Sequence, residues 1–333
     1  MRNPRFHDTI ISRPGYFPVG VLYCINGFGR SLARVFSGLR FMAPVSSNPS
    51  APASLENRPV GYNTVRIEPP RGWFDLRLKE LWDYRELLYF SVWRDVKVRY
   101  KQTVVGVFWV VIQPLMTMGV FTIFFGRVAK LPSQGLPYPV FYFAALVPWA
   151  YFSSALSSCT NIVVSNQQVI TKVYFPRLVL PLAAVCSPLI DFGIGLIMMI
   201  ALTLSFGIRP PATVLLLPVL IVLAVLTALA VGLWTSALNA LYRDVASIIP
   251  FAVQIWMFAS PVAYPSSMVP QRWRALYGLN PMAGVIDGFR WALTGRGRPP
   301  GPMMLVSAVM VLALLIGGLI FFQRMEGTVT DRV

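Results

Sequence analysis

The chain has 333 residues, a formal net charge of +16 and a mean hydropathy of +0.61, and only 13% of its residues are charged. Soluble domains carry about 25% charged residues, and one this poor in charge would expose large apolar patches and aggregate, so lipid is the expected solvent. The basic excess is not the footprint of a nucleic-acid binder, because 16 of the 29 Lys and Arg residues lie in the first 101 positions. Basic flanks beside apolar spans instead reflect attraction to an anionic cytoplasmic leaflet.

Residues 1–72 are expected to be a basic, mostly disordered extension. No acid occurs between Asp8 and Glu56, while Arg13, Arg30, Arg34 and Arg40 are scattered among apolar residues. The Pro/Ser/Ala-rich stretch 43–54 reads as linker. Residues 16–42 suit a targeting sequence or a surface helix; the alternative is that the true start is Met42.

Residues 76–101 predict one amphipathic helix. Leu78, Leu81, Trp82, Leu88, Tyr89, Val92, Trp93, Val96 and Tyr100 fall near the i, i+3, i+4 spacing, with charges mostly between them. Trp and Tyr on an apolar side with basic residues opposite suit a helix lying in the membrane interface.

Six apolar segments follow, at 104–126, 140–164, 178–206, 213–241, 245–264 and 303–322. A helix rises ~1.5 Å per residue, so about 20 residues cross a hydrocarbon core of ~30 Å. The fifth segment is interrupted by Pro250 and Pro261. The stretch 265–302 is semi-apolar and too broken to span. It fits re-entrant helices buried against protein, with a folded surface loop as the alternative. An even number of spans puts both termini on one side. The basic cluster Arg94, Lys97, Arg99 and Lys101 before the first span favours the cytoplasm. The fold expected is thus an all-α membrane protein: an interfacial helix (73–103), then a domain of six transmembrane helices (104–333), with re-entrant helices between spans five and six.

Catalysis is not expected. Sugar- or phosphate-handling membrane enzymes need clustered carboxylates, histidines or a metal, and the spans hold one acid, Asp191, and no histidine. There is no GxxxxGK[ST] phosphate loop. Cys24, Cys159 and Cys186 show no ligand or disulfide spacing. Asp191, near the centre of the third span, reads either as part of a proton or substrate relay, or as a neutral or hydrogen-bonded acid tying two helices together; the absence of partners at depth favours the tie. Ala228, Gly232, Ser236 and Ala240 recur at four-residue intervals and mark a helix–helix contact, within the chain or across a dimer. Tyr138, Phe141, Tyr142, Trp149 and Phe152 suit an interfacial aromatic belt or a stacking surface for sugar rings. The polar segment 166–177 between spans two and three is a candidate docking element for a soluble partner.

Four stretches carry a resemblance: WRDVKVRYKQTVVGVFWVVIQPL (93–115), NQQVITKVYFPRLVLP (166–181), YRDVASIIPFAVQIWMFASPVAYP (242–265) and LNPMAGVIDGFRWAL (279–293). Together they resemble the type-2 ABC exporter permeases for O-antigen, capsule and teichoic-acid polymers, over most of the chain from residue 73 onward. The resemblance implies a homodimeric permease in the bacterial cytoplasmic membrane, working with a separate ATPase subunit that holds the ATP and Mg, while this chain binds no cofactor. It implies that Asn166, Gln167, Gln168, Val169, Ile170, Thr171 and Lys172, closed by Phe175, Pro176 and Arg177, form the ATPase-coupling segment. Trp93, Arg94, Asp95, Arg99 and Tyr100 would belong to an interfacial gate helix. Tyr138, Phe141, Tyr142, Trp149 and Phe152 would line the path of a lipid-linked glycan. An exporter of lipids or drugs is the nearest alternative, and an ion-coupled secondary transporter a more distant one.

Overall fold

A computed structural model describes residues 78–101, 106–172, 175–296 and 301–332. The basic extension over 1–72 and the question of the start site lie outside these residues. All regular structure among them is helical. In chain order the helices are α1 (Leu78–Asp83), α2 (Arg85–Lys101), α3 (Gly106–Phe121), α4 (Tyr138–Ser165), α5 (Gln167–Ile170), α6 (Val179–Cys186), α7 (Leu189–Ser205), α8 (Leu217–Leu241), α9 (Val245–Ala259), α10 (Arg274–Tyr277), α11 (Pro281–Thr294) and α12 (Pro302–Arg332).

Five helical stretches are long and apolar enough to cross a membrane: Phe108–Val128, Tyr138–Ser165, Val179–Ser205, Ala212–Leu241 and Pro302–Met325. They correspond to five of the six predicted segments. The remaining one, 245–264, is shorter than predicted. Its helix α9 ends at Ala259, so at 1.5 Å per residue its 15 residues cover about 22 Å, less than a ~30 Å core. Pro250 lies inside α9 without ending it, and the chain turns at Ser260 and Pro261.

The span at the centre of the bundle is the least apolar. Tyr138–Ser165 has a mean hydropathy of 1.3, against 3.1 for Ala212–Leu241, and 78% of its most apolar 18-residue window is buried, against 39%. Apolar side chains gain nothing from leaving lipid, so helix contacts in a membrane select small and polar residues instead. The α4–α8 contact illustrates this. Thr160 Oγ1 hydrogen-bonds Thr235 Oγ1 at 2.9 Å, and Asn239 Nδ2 donates to the Thr160 carbonyl at 2.9 Å. Asn239 Oδ1 then accepts from the Ala246 backbone N–H at 3.0 Å, fixing the start of α9. Gly232 lies against Cys159, where an added Cβ would stand 2.7 Å from its Sγ. The small-residue stripe of α8 therefore contacts α4 within the chain.

The third span is broken. Ser187 and Pro188 separate α6 from α7, and Asp191 lies in the first turn of α7. The stretch 265–302 is not a plain loop: two 3-10 turns (Ser266–Met268 and Gln271–Trp273) and α10 lead into the buried helix α11, which packs against α4, α8 and α12.

Candidate functional site

Helix α2 is sandwiched between protein and solvent or lipid, and its faces divide differently from the prediction. Leu88, Val92, Val96 and Tyr100 turn toward the bundle at helical spacing, as do Leu81 of α1 and Tyr84 in the turn between the helices, but Asp95 and Arg99 share the α2 face. Trp82 of α1 and Tyr89 and Trp93 of α2, grouped in the sequence with these residues on one apolar side suited to the membrane interface, are exposed, as are Arg85, Arg94 and Lys97. Aromatics thus occupy the outward side of α2 while some of its polar residues reach into the protein.

Those inward polar residues make specific bonds. Arg99 forms an ion pair with Asp191 of α7, and the Tyr100 hydroxyl donates to the other carboxylate oxygen. Burial pushes the Tyr100 phenol well above its usual range, and the hydrogen bond to Asp191 adds to this. Of the two readings of Asp191, the observed geometry is the tie between helices, and its partners lie outside the spans. One turn earlier on α2, Arg94 pairs with Asp95 at 3.0 Å and its Nη2 donates to Asn166 Oδ1 at 3.3 Å.

Asn166 begins the predicted coupling segment. It terminates α4, and its own Nδ2 donates to the Ile162 carbonyl at 2.8 Å. The single turn α5 follows. Gln168, Val169, Thr171 and Lys172 are exposed, whereas Gln167 and Ile170 are half-buried. Phe175 is buried, with Pro176 and Arg177 half-buried beside it. Ile170 and Arg177 line a small crevice with Val163, Ala237, Phe322 and Met325. The segment is thus a short exposed turn anchored at both ends, one face on the bundle and one outward.

The five aromatics proposed for a substrate path lie inside the protomer. Phe141, Tyr142, Trp149 and Phe152 are buried and Tyr138 is half-buried. Tyr142 stacks on Tyr138 and meets Phe121 edge-on, while Phe152 meets Trp256 of α9 edge-on. Phe141 carries the guanidinium of Arg290 over its ring at 3.8 Å.

Arg290 belongs to a polar cluster that the pattern of the sequence did not disclose. It is 2% exposed, donates to the Pro261 carbonyl at 2.9 Å and pairs with Asp287 at 3.1 Å. Burial pushes the Asp287 carboxyl upward, while Arg290 and Ser266 act against that shift. Asn280 holds the other end of the unit. Its Oδ1 caps α11 through the Met282 N–H and accepts from Trp256 Nε1, and its Nδ2 donates to Ser260 Oγ. The one available signal was Asn280 before Pro281, an N-cap followed by proline at the first helical position. Among the described residues no group of three or more His, Cys, Asp or Glu side chains is placed to hold a metal.

The family model for ABC-2 type transporters matches residues 86–294, from the start of α2 to the end of α11. The chain is 32% identical over 253 residues to the O-antigen export system permease protein RfbA of Myxococcus xanthus, covering 75% of this chain and 96% of the relative. A protein of the same description from Klebsiella pneumoniae is 28% identical over 62% of this chain and 79% of its own length. The polysialic acid transport protein KpsM of Escherichia coli is 19% identical over 70% of this chain and 91% of its own length.

Proposed function

The chain belongs to the ABC-2 type transporter family, and from that premise we propose that it is the permease subunit of an ATP-driven exporter of a cell-surface polysaccharide. It is a transport subunit and not an enzyme; ATP is hydrolysed by a separate subunit. The observation that carries the substrate class is the near-complete coverage of an O-antigen export permease at 32% identity. In this reading two copies form the permease in the bacterial inner membrane, with both termini in the cytoplasm. Helix α9 with the turn after it serves as the fifth, shortened span, bringing the total to six, and 265–302 dips in as a re-entrant unit between it and the last span.

A lipid-linked glycan approaches from the cytoplasmic side, where Arg94, Lys97, Arg99 and Lys101 attract its phosphates. The coupling segment supplies the drive. Gln168, Val169 and Lys172 are exposed and reach the ATPase, while Asn166 and Phe175 hold the turn to the bundle. For Tyr138, Phe141, Tyr142, Trp149 and Phe152 to line the path, α4 must part from α3 or α9, because those helices now cover their rings.

The test is co-purification with the ATPase encoded beside this chain. Val169→Asp with Lys172→Glu changes only exposed side chains of the turn, and is preferred to Arg177, which is half-buried against the bundle. Wild type retains the ATPase and the variant loses it. Equal retention by both removes 166–177 as the docking element, and no association with any ATPase removes the exporter reading.

A further inference from the structure

We propose that Asp191 is a positioning residue for transport: with Arg99 and Tyr100 it clasps α2 over a cleft, and the Arg94–Asn166 contact is the handle through which the coupling segment releases it. The handle rests on the reading that 166–177 docks the ATPase; the clasp stands on the geometry of this chain.

Two polar ties between α2 and the transmembrane helices lie about one turn apart, Arg94 on Asn166 and Arg99 with Tyr100 on Asp191. Between these ties Val96 is buried against the bundle, but the helix does not close the space beside it. A cleft of about 310 Å³ lies there, walled by Asp95, Val98 and Arg99 of α2, Ser158 and Ile162 of α4, and Ala184 and Ser187. The cleft is open to the outside, and it leaves room for α2 to shift against α4 and α6. The floor is polar as well. Ser187 is buried, yet its Oγ has no hydrogen-bond partner among the described residues, a state that water or a polar headgroup entering the cleft would relieve.

The chemistry of the clasp makes it a two-state element. Asp191 is the one acid in the candidate spans, and a carboxylate in an apolar setting without a partner is expensive. It therefore does not let go of Arg99 gradually. It exchanges that partner for water admitted to the cleft, so release of α2 and hydration of the cleft are one event. The pull reaches α2 through Asn166, whose amide is bonded both to the end of α4 and to Arg94, at the first residue of the segment that meets the partner.

The experiment measures maleimide labelling of Ser187→Cys in a background of Cys24→Ser, Cys159→Ala and Cys186→Ala, in lipid nanodiscs, with the ATPase bound. Without nucleotide, labelling is slow. Asp191→Asn raises the rate roughly tenfold, the change that follows from losing about 1.4 kcal/mol of preference for the closed state. Tyr100→Phe raises it less, and the exchange Arg99→Asp with Asp191→Arg restores slow labelling. A non-hydrolysable ATP analogue speeds labelling of the wild-type sequence but not of Asn166→Ala. Equal rates in Asp191→Asn, Tyr100→Phe and the unmodified clasp overturn it, as does an exchange variant that labels as fast as Asp191→Asn. If Asp191→Asn fails to fold, Tyr100→Phe and the exchange still decide. If the nucleotide-free order holds but the analogue changes nothing, the clasp stands and the handle falls with the docking reading. If the analogue opens Asn166→Ala as readily as wild type, the handle alone is wrong.

Discussion

Replacing Arg290 by Met tests how much stability rests on the buried ion pair within α11 and on the bond from Arg290 to the turn after α9. Arg290 is 2% exposed, and its partner Asp287 is 24% exposed at the side chain. The substitution keeps most of the volume and removes three contacts: the bond to the Pro261 carbonyl, the pair with Asp287 and the stacking over Phe141. Asp287 is left half-buried without its cation. Removing one member of a buried pair typically costs about 3–5 kcal/mol, whereas removing both in favour of apolar residues of similar size is often neutral. At about 2–4 °C per kcal/mol for a chain region of this size, Arg290→Met should lower the melting temperature in detergent by roughly 6–20 °C. Asp287→Leu combined with Arg290→Met should recover most of that loss. The assay is thermal unfolding followed by fluorescence-detected size exclusion, with lipid composition held fixed. An Arg290→Met protein melting within about 2 °C of wild type would mean the pair contributes less than about 1 kcal/mol and is ornamental. A double variant less stable than the single one would show that packing, and not the stranded carboxylate, sets the cost.

Two further outcomes follow from close contacts. Gly232→Ala places a Cβ 2.7 Å from Cys159 Sγ, so overpacking of about 1–3 kcal/mol should outweigh the ~1 kcal/mol gain in helix propensity. Pairing it with Cys159→Ala should return stability, and a double-mutant cycle without that coupling would sink the argument. Asn280→Ala removes the cap of α11, about 0.5–2 kcal/mol, and orphans Trp256 Nε1, about 1–3 kcal/mol. Asn280→Asp keeps the acceptor for both and should melt closer to wild type than Asn280→Ala does; the reverse order refutes the acceptor role.

The long spans were legible because lipid imposes a simple condition, some 20 apolar residues in a row, and 104–126, 140–164, 213–241 and 303–322 each meet it. Where a segment carries extra structure, the condition loses its grip. The apolar run over 245–264 does not reveal that Ser260 and Pro261 turn the chain, because buried turns are as apolar as spans. Burial was also hidden, since hydropathy measures preference for lipid as well as for protein. The most buried span is the least hydropathic, because Thr160 and its neighbours on α4 face Thr235 and Asn239 on α8. On α2 the periodicity was correct but its sense was mixed: Trp93 and Val92 look alike as apolar residues, yet one faces outward and the other the bundle.

Asp191 shows why partners in a membrane protein must be sought beyond the spans. Looking only among the apolar segments leaves this acid without a mate, which makes either a relay or a neutral carboxyl attractive. Its cation comes instead from α2, a helix that lies outside the candidate spans, 92 residues away in sequence. Arg is suited to that role, because its long apolar stem can lie along the bundle while the guanidinium reaches a carboxylate near the interface. Ser187 and Pro188 interrupt the regular hydrogen bonding between α6 and α7, and Asp191 lies in the turn that follows. A charged residue in an apolar stretch is therefore best tested against the basic interfacial helices first, and only then against depth. Here that order turns an isolated acid into the point where the interfacial helix is fastened.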